Sequence, residues 1–504
     1  MRCSSCVPKD CSAWARWAAI SPESGESADG TGRATGSDPA TNAGTTASSE
    51  PGTDSGDGSA SESGGEVRET GRTRTRSETG VGWPLRFLRE HLVHIGVLAF
   101  FALYPALYAV LVASPLGAEL TAVLPRVETM TAVFYFGLFA MAFDFISGYT
   151  GYLSFGHAVF YGAGAYLVVL GANGRLPLFG ADVPFMFLLI LAGLLGVALA
   201  VLVGSVSFRL TGVYFAMITL GFAQVFYMFV RGWDYVSDNP RDGVAVLGRT
   251  EGFDVGIPYV DALNLGIGQL AGEDLALLGL ELSAVEVSYY MIGLVVAICY
   301  LAMQRIIHSP FGRVMIAIRE NEQRAEAIGY DTFRYKLGAF AISGFFAAIA
   351  GGLFAGYRWS VSPENSLFFL VTGDALLAAI IGGFGTLAGP LFGRLFDETV
   401  QEFLSDAGQG GGLLPYLREN LPASVLETDL LGGLTLGEGI ETFLNGHESL
   451  YIGALFVLFV LFIPGGLLGT IRARLGGPVA KRIPDRASRY VPKRAKHYWN
   501  GLKR

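Results

Sequence analysis

Apolar residues in this chain do not recur at the spacing of an amphipathic surface helix or of a half-buried strand; they come in unbroken runs of about 17 to 22 residues. A helix rises about 1.5 Å per residue, so such a run crosses a hydrocarbon core about 30 Å thick. Ten runs are read, approximately at 92–113, 128–147, 152–171, 184–205, 211–230, 287–304, 336–357, 367–382, 385–403 and 449–468. They predict an all-α polytopic membrane protein of about ten transmembrane helices, because a soluble helical fold would need polar faces that these runs lack. The eighth and ninth runs are split by Gly382-Gly383-Phe384-Gly385 and read either as full spans or as shorter, partly re-entrant ones. Ahead of them, residues 1–80 consist largely of Ser, Gly, Thr, Glu and Asp. That stretch has too little apolar surface to offset the entropy of ordering, and it predicts a disordered low-complexity tail. It has no apolar core of the kind a signal peptide needs.

Composition agrees with the runs. The 504 residues are 51% hydrophobic and only 16% charged, with a mean hydropathy of +0.43. Soluble domains carry about 25% charged residues. The net charge of −8 hides opposite local fields. Arg305 to Lys336 holds six basic residues, and the tail at 471–504 holds eleven against the single Asp485. The segment from Gly232 to Glu286 holds ten acids against two arginines, and 404–448 holds seven acids against Arg418. Basic loops stay cytoplasmic. Ten spans in the segment 81–470, with both termini cytoplasmic, place all four segments correctly, with 404–448 as an acidic outer insertion. The expected location is the plasma membrane. Cys3, Cys6 and Cys11 cluster at the N-terminus and Cys299 lies inside an apolar run, so no disulfide framework is implied.

Membrane helices associate through close packing, which selects small residues four apart. Ser154, Ala158 and Gly162 form one such stripe, and Gly344, Ala348, Gly352 and Gly356 form another. These predict tight packing and say nothing of a substrate. Polar groups at membrane depth discriminate better, because a charged side chain in hydrocarbon costs at least about 2.5 kcal/mol. Asp144, His157, Gln224 and Asp374 fall inside the runs, too scattered for a proton relay. Asp144, near a helix end, reads as structural. His157 admits two readings, a ring bonded to a neighbouring helix or a substrate contact. Ser154, His157, Tyr214, Gln224 and Asp374 are the candidate pathway residues.

The most polar stretch between spans lies in the loop 305–335. Val314 to Gly329 is rich in helix formers and closes on a glycine, and Ile318, Ala325 and Ile328 share one face, which predicts a single amphipathic helix. Its mixed acids suit a protein partner better than an anionic lipid surface. No lysine follows a glycine anywhere, so a GxxxxGK[ST] phosphate loop is absent, and so are HExxH and GxSxG. Catalysis is not expected, and any ATP motor must be another subunit.

Four strings in order sharpen this picture: Gly148 to Ala158, Leu210 to Met217, the charged loop, and Gly382 to Pro390. Together they resemble the LivM-type permeases of branched-chain amino-acid ABC importers over about 92–470, apart from the 404–448 insertion and the long N-terminal tail. The resemblance implies that the charged helix, with Arg319, Glu320, Arg324, Ala325, Glu326 and Gly329, rests on an ATPase subunit. It implies a second, LivH-like permease, two ABC ATPases that bind ATP and Mg, and an extracytoplasmic binding protein that delivers the amino acid. It implies no cofactor in this chain and no nucleic-acid partner. A urea or short-amide permease of the same family and a stand-alone secondary carrier are the alternatives.

Overall fold

The computed structural model describes residues 99–114, 124–177, 183–246, 275–277, 280–404, 448–463 and 465–467, with isolated positions between 422 and 437. The N-terminal tail with Cys3, Cys6 and Cys11, the basic tail at 471–504 and most of the 404–448 insertion lie outside the described residues.

In order, the helices are α1 (Ala99–Val112), α2 (Val127–Thr150), α3 (His157–Ala172), α4 (Phe185–Ser207), α5 (Val213–Arg231) and α6 (Ala284–Ile307). There follow α7 (Pro310–Glu320), α8 (Glu322–Ala327), α9 (Thr332–Arg358), α10 (Pro363–Ser366), α11 (Phe369–Gly382), α12 (Gly389–Leu404) and α13 (Glu448–Phe462). The strands are two- or three-residue antiparallel pairs. β1 (Val244–Ala245) pairs with β4 (Ser360–Val361), β2 (Leu275–Leu277) with β3 (Leu280–Leu282), and β5 (Asp429–Leu431) with β6 (Leu434–Thr435).

Among the described residues six helical segments are long and apolar enough to cross a membrane: α2, α4, α5, α6, α9 and the α10–α11 pair. Hydropathy had suggested ten. The third run falls short because α3 begins at His157, leaving residues 151–156 as non-helical chain. The ninth differs in kind, since α12 carries Arg394, Asp397, Glu398 and Glu402 on its sixteen residues. It nevertheless accompanies α2 from end to end. The turn before it meets Asp144 and Tyr149, Leu391 packs on Gly137, and Glu402 accepts the Arg126 amide at the other end.

α2, α3 and α9 form the centre, with α4 against α3 and α9, and α11 and α12 against α2. The predicted small-residue stripe of α9 meets α4: a Cβ on Gly344 would lie 2.8 Å from Ala200 Cβ, and one on Gly356 2.5 Å from the Phe185 ring. A second line of contact was not foreseen. A Cβ on Gly351 would lie 1.8 Å from the Tyr161 carbonyl oxygen, and one on Gly164 2.1 Å from that of Ala348. The α3 and α9 backbones therefore touch, which only glycine permits. The Ser154 stripe is corrected: Ser154 precedes the helix, so it does not share a helix face with Ala158 and Gly162.

Helix ends follow local chemistry. Ser283 and Glu286 form a capping box on α6, Ser309 precedes Pro310 at the first position of α7, and Asp331 caps α9. Gly151 ends α2 at φ 81°, a left-handed geometry that suits glycine.

Candidate coupling and translocation site

The charged segment is two helices, not one. Asn321, at φ −167° and ψ 105°, closes α7, and its side chain accepts the Arg324 amide at 2.8 Å to open α8. Asparagine favours this role because its oxygen satisfies an orphan N–H at a helix start. Val314, Ile318 and Ala325 turn into a small apolar cluster with Tyr152 and Tyr335. Ile328 does not join them. It is 68% exposed beyond the end of α8, beside the exposed Tyr330 and Phe333. Glu320, Arg324, Glu326 and Gly329 are also exposed, and Glu326 accepts a hydrogen bond from Thr332 at 2.7 Å.

Two polar joints tie this element to the bundle. In the first, the buried Lys336 of α9 donates to Glu322 at 2.5 Å, Tyr152 donates to the same carboxylate at 2.5 Å, and the ammonium lies 4.8 Å from the Tyr152 ring centroid. Burial alone would raise the Glu322 carboxyl, but hydrogen bonds from Lys336 and Tyr152 outweigh it and hold the group below its ordinary value. The sequence reading missed this triad, whose members are 170 and 14 residues apart. The only linear signal was Lys336, a lone lysine at the head of an apolar run.

The second joint runs through Arg319, which is exposed on α7 and lies 3.5 Å from the Glu320 carboxylate. One nitrogen of its guanidinium donates to the Gly148 carbonyl at 2.6 Å, at the end of α2. Gly385, at φ 78°, donates its amide to Asp144 at 2.9 Å, and Leu387 donates to the Tyr149 hydroxyl at 3.1 Å. The strings Gly148 to Ala158 and Gly382 to Pro390, far apart in sequence, thus meet beside Arg319.

The pathway candidates separate. Ser154 and His157 are fully buried. The Ser343 hydroxyl donates to the Ala142 carbonyl at 2.6 Å, so His157 Nε2–H donates to Ser343 at 2.8 Å, with Phe143, Phe160 and Phe340 packed edge-on around the ring. Ser154 accepts the Gly156 amide at 3.2 Å. Both residues hold the broken chain before α3, where Thr219 and Thr372 take the amides of Phe155 and Ala158. Ser154, Gly156 and His157 are buried, and neighbouring side chains supply partners to the amides that the helix leaves free. Tyr214 is exposed on α5, Gln224 is half-buried on the same helix, and Asp374 is exposed on α11. The expected scarcity of polar groups is also corrected. Arg394 pairs with Asp397 at 2.5 Å and with Glu398, and lies 4.2 Å from the Phe136 ring centroid within the bundle. The ninth run concealed these charges because its first half, Leu387 to Gly393, is apolar.

A helical bundle of this length and apolarity, with a charged two-helix element fastened to one end, defines a multi-pass membrane protein. Residues 126–420, more than half of the chain, match the family described as branched-chain amino acid transport system / permease component. The chain belongs to that family, whose members are membrane subunits of transporters and not enzymes. It is 25% identical over 349 residues to the high-affinity branched-chain amino acid transport permease LivM of Salmonella typhimurium, over 69% of this chain and 71% of that protein. The LivM permease of Escherichia coli K12 gives the same figures. The LivH permease of Salmonella typhimurium is 23% identical over 350 residues, 66% of this chain and 91% of that protein. No solved structure gives a significant match.

Proposed function

We propose that the chain is one of two permease subunits of an ATP-driven importer of leucine, isoleucine and valine. A LivH-like chain supplies the other half, two ABC ATPases bind ATP and Mg, and an extracytoplasmic binding protein delivers the amino acid. Ten spans with both termini cytoplasmic suit the distribution of basic and acidic segments along the sequence. The observation that carries the reading is the α7–α8 element. It is fastened to the bundle by Lys336 and Arg319, and the link from it into α9 carries the exposed Ile328, Tyr330 and Phe333 among charges. An apolar tip with a charged rim is the composition of a protein interface core. Closure of the ATPases on ATP displaces this tip and shifts the bundle between outward- and inward-open states. Asp374 is exposed on an apolar helix, where lipid would be costly. Its face therefore meets the second permease across the pathway, with the carboxylate available to the ammonium group of the substrate.

The test is reconstitution of the complete complex, with both permeases, both ATPases and the binding protein, in proteoliposomes. Ile328→Glu should reduce the ATPase recovered with the permease by about tenfold, as expected for the loss of an interface anchor. Asp374→Asn should keep the complex assembled and abolish most uptake. Undiminished ATPase association in the first variant refutes the docking assignment. Accumulation by this chain alone on an ion gradient refutes the importer reading.

A further inference from the structure

Arg319 occupies a place that neither docking on an ATPase nor binding substrate accounts for. It lies in the last turn of α7, in the element proposed to receive motion, and its guanidinium is divided: one nitrogen lies 3.5 Å from the exposed Glu320 carboxylate and the other reaches into the bundle. It reaches the Gly148 carbonyl, which helix termination leaves without an intrahelical partner. Around that contact three elements converge without slack. A Cβ on Gly148 would lie 2.7 Å from Gly385 Cα, and one on Gly151 would lie 3.2 Å from Arg319 Cγ. Asp144, fully buried, holds the Gly385 amide through one oxygen, and its carboxylate lies within electrostatic range of Arg319. The turn fixed in this way joins α11, which carries Asp374, to α12.

The other joint leads elsewhere. Glu322 and Lys336 fasten α8 to the head of α9, the helix whose glycines are locked against α3 and α4. That joint holds the element in place. Arg319 instead connects it to the end of α2 and to the turn between α11 and α12. Close-packed segments of this kind pass on displacement instead of absorbing it.

We propose, resting on the importer reading above, that Arg319 is the positioning residue that transmits motion of the α7–α8 element into the α11–α12 pair. The route runs from Arg319 through the Gly148 carbonyl and the Asp144–Gly385 contact to the helix carrying Asp374. Its removal separates ATP hydrolysis from transport while the ATPase remains docked.

The experiment uses the complete complex, with both permeases, ATPases and binding protein, in proteoliposomes supplied with ATP and leucine. The readout is leucine molecules imported per ATP hydrolysed, a ratio that simple loss of folded protein does not change. Arg319→Ala should co-purify with the ATPase and lower the ratio by about tenfold, the factor set by losing one hydrogen bond to a charged group. Arg319→Lys, which keeps a cationic donor, should recover part of it, and it carries the test should Arg319→Ala fail to insert. A ratio equal to wild type in Arg319→Ala, or in both variants, overturns the proposal. So does loss of ATPase association in Arg319→Ala, which would make Arg319 a docking residue. A wild-type complex that hydrolyses ATP without importing leucine, isoleucine or valine overturns the importer reading itself, a result distinct from failure of the variants.

Discussion

Replacing Gly351 by alanine tests the central packing most directly. The added methyl would sit 1.8 Å from the Tyr161 carbonyl oxygen, whereas a carbon and a carbonyl oxygen come no closer than about 3.3 Å. The obstructing atom belongs to the α3 backbone and cannot rotate aside, so the two helices must part by more than about 1 Å. Parting them also opens the Gly164–Ala348 approach about one turn away. Overpacking of this kind costs about 1–3 kcal/mol, and a site closed by backbone on both sides belongs at the upper end. Gly221→Ala on α5 is the matched control, because no atom lies within 4 Å of its added methyl. Alanine in a helix interior should there gain about 0.5–1 kcal/mol over glycine. Reversible unfolding of the purified permease in detergent should therefore move in opposite directions for the two variants. Equal stability of Gly351→Ala and wild type would refute the contact between α3 and α9.

Two further outcomes follow from buried polar groups. Ser343→Ala removes the acceptor of His157 Nε2–H inside a ring of phenylalanines and should cost about 1–3 kcal/mol in the same assay, while an unchanged midpoint would show that His157 has another partner. Glu322 is held below its ordinary value of 4.5, so the joint to Lys336 is fully formed above pH 4.5 and is lost as pH falls through the lowered folded value. Hydrogen exchange of amides 321–336 should stay slow from pH 7 to about pH 4.5, after correction for intrinsic rates, and accelerate below it; acceleration already at pH 6 would contradict the assignment.

Asp144 shows how position along the chain and position in space diverge. Its place near the end of an apolar run marks it as a helix-end group, and it does bond the Gly385 amide there. Its partner lies 241 residues away, which no local pattern could indicate. The same holds for Glu322, where a linear amphipathic reading assigns every charge to the outer face although this carboxylate turns to Lys336 and Tyr152. For Ile328 the error has a local cause. The second helix ends at Ala327, so Ile328 no longer keeps the rotation by which Ala325 still meets Ile318.

The sequence by itself determined that this is a helical membrane protein with one charged element between spans, because transfer into lipid is governed by additive, local hydrophobicity. The signature strings placed it near a permease family by the same local route. Tertiary structure alone decided which glycines bring backbones together, that α12 runs its charges alongside α2, and where Lys336 and Arg319 fasten the charged element. Each of these depends on groups brought together from distant parts of the chain. A contact of that kind is set by the packing of whole helices, and hydropathy, which treats every residue separately, carries no record of it.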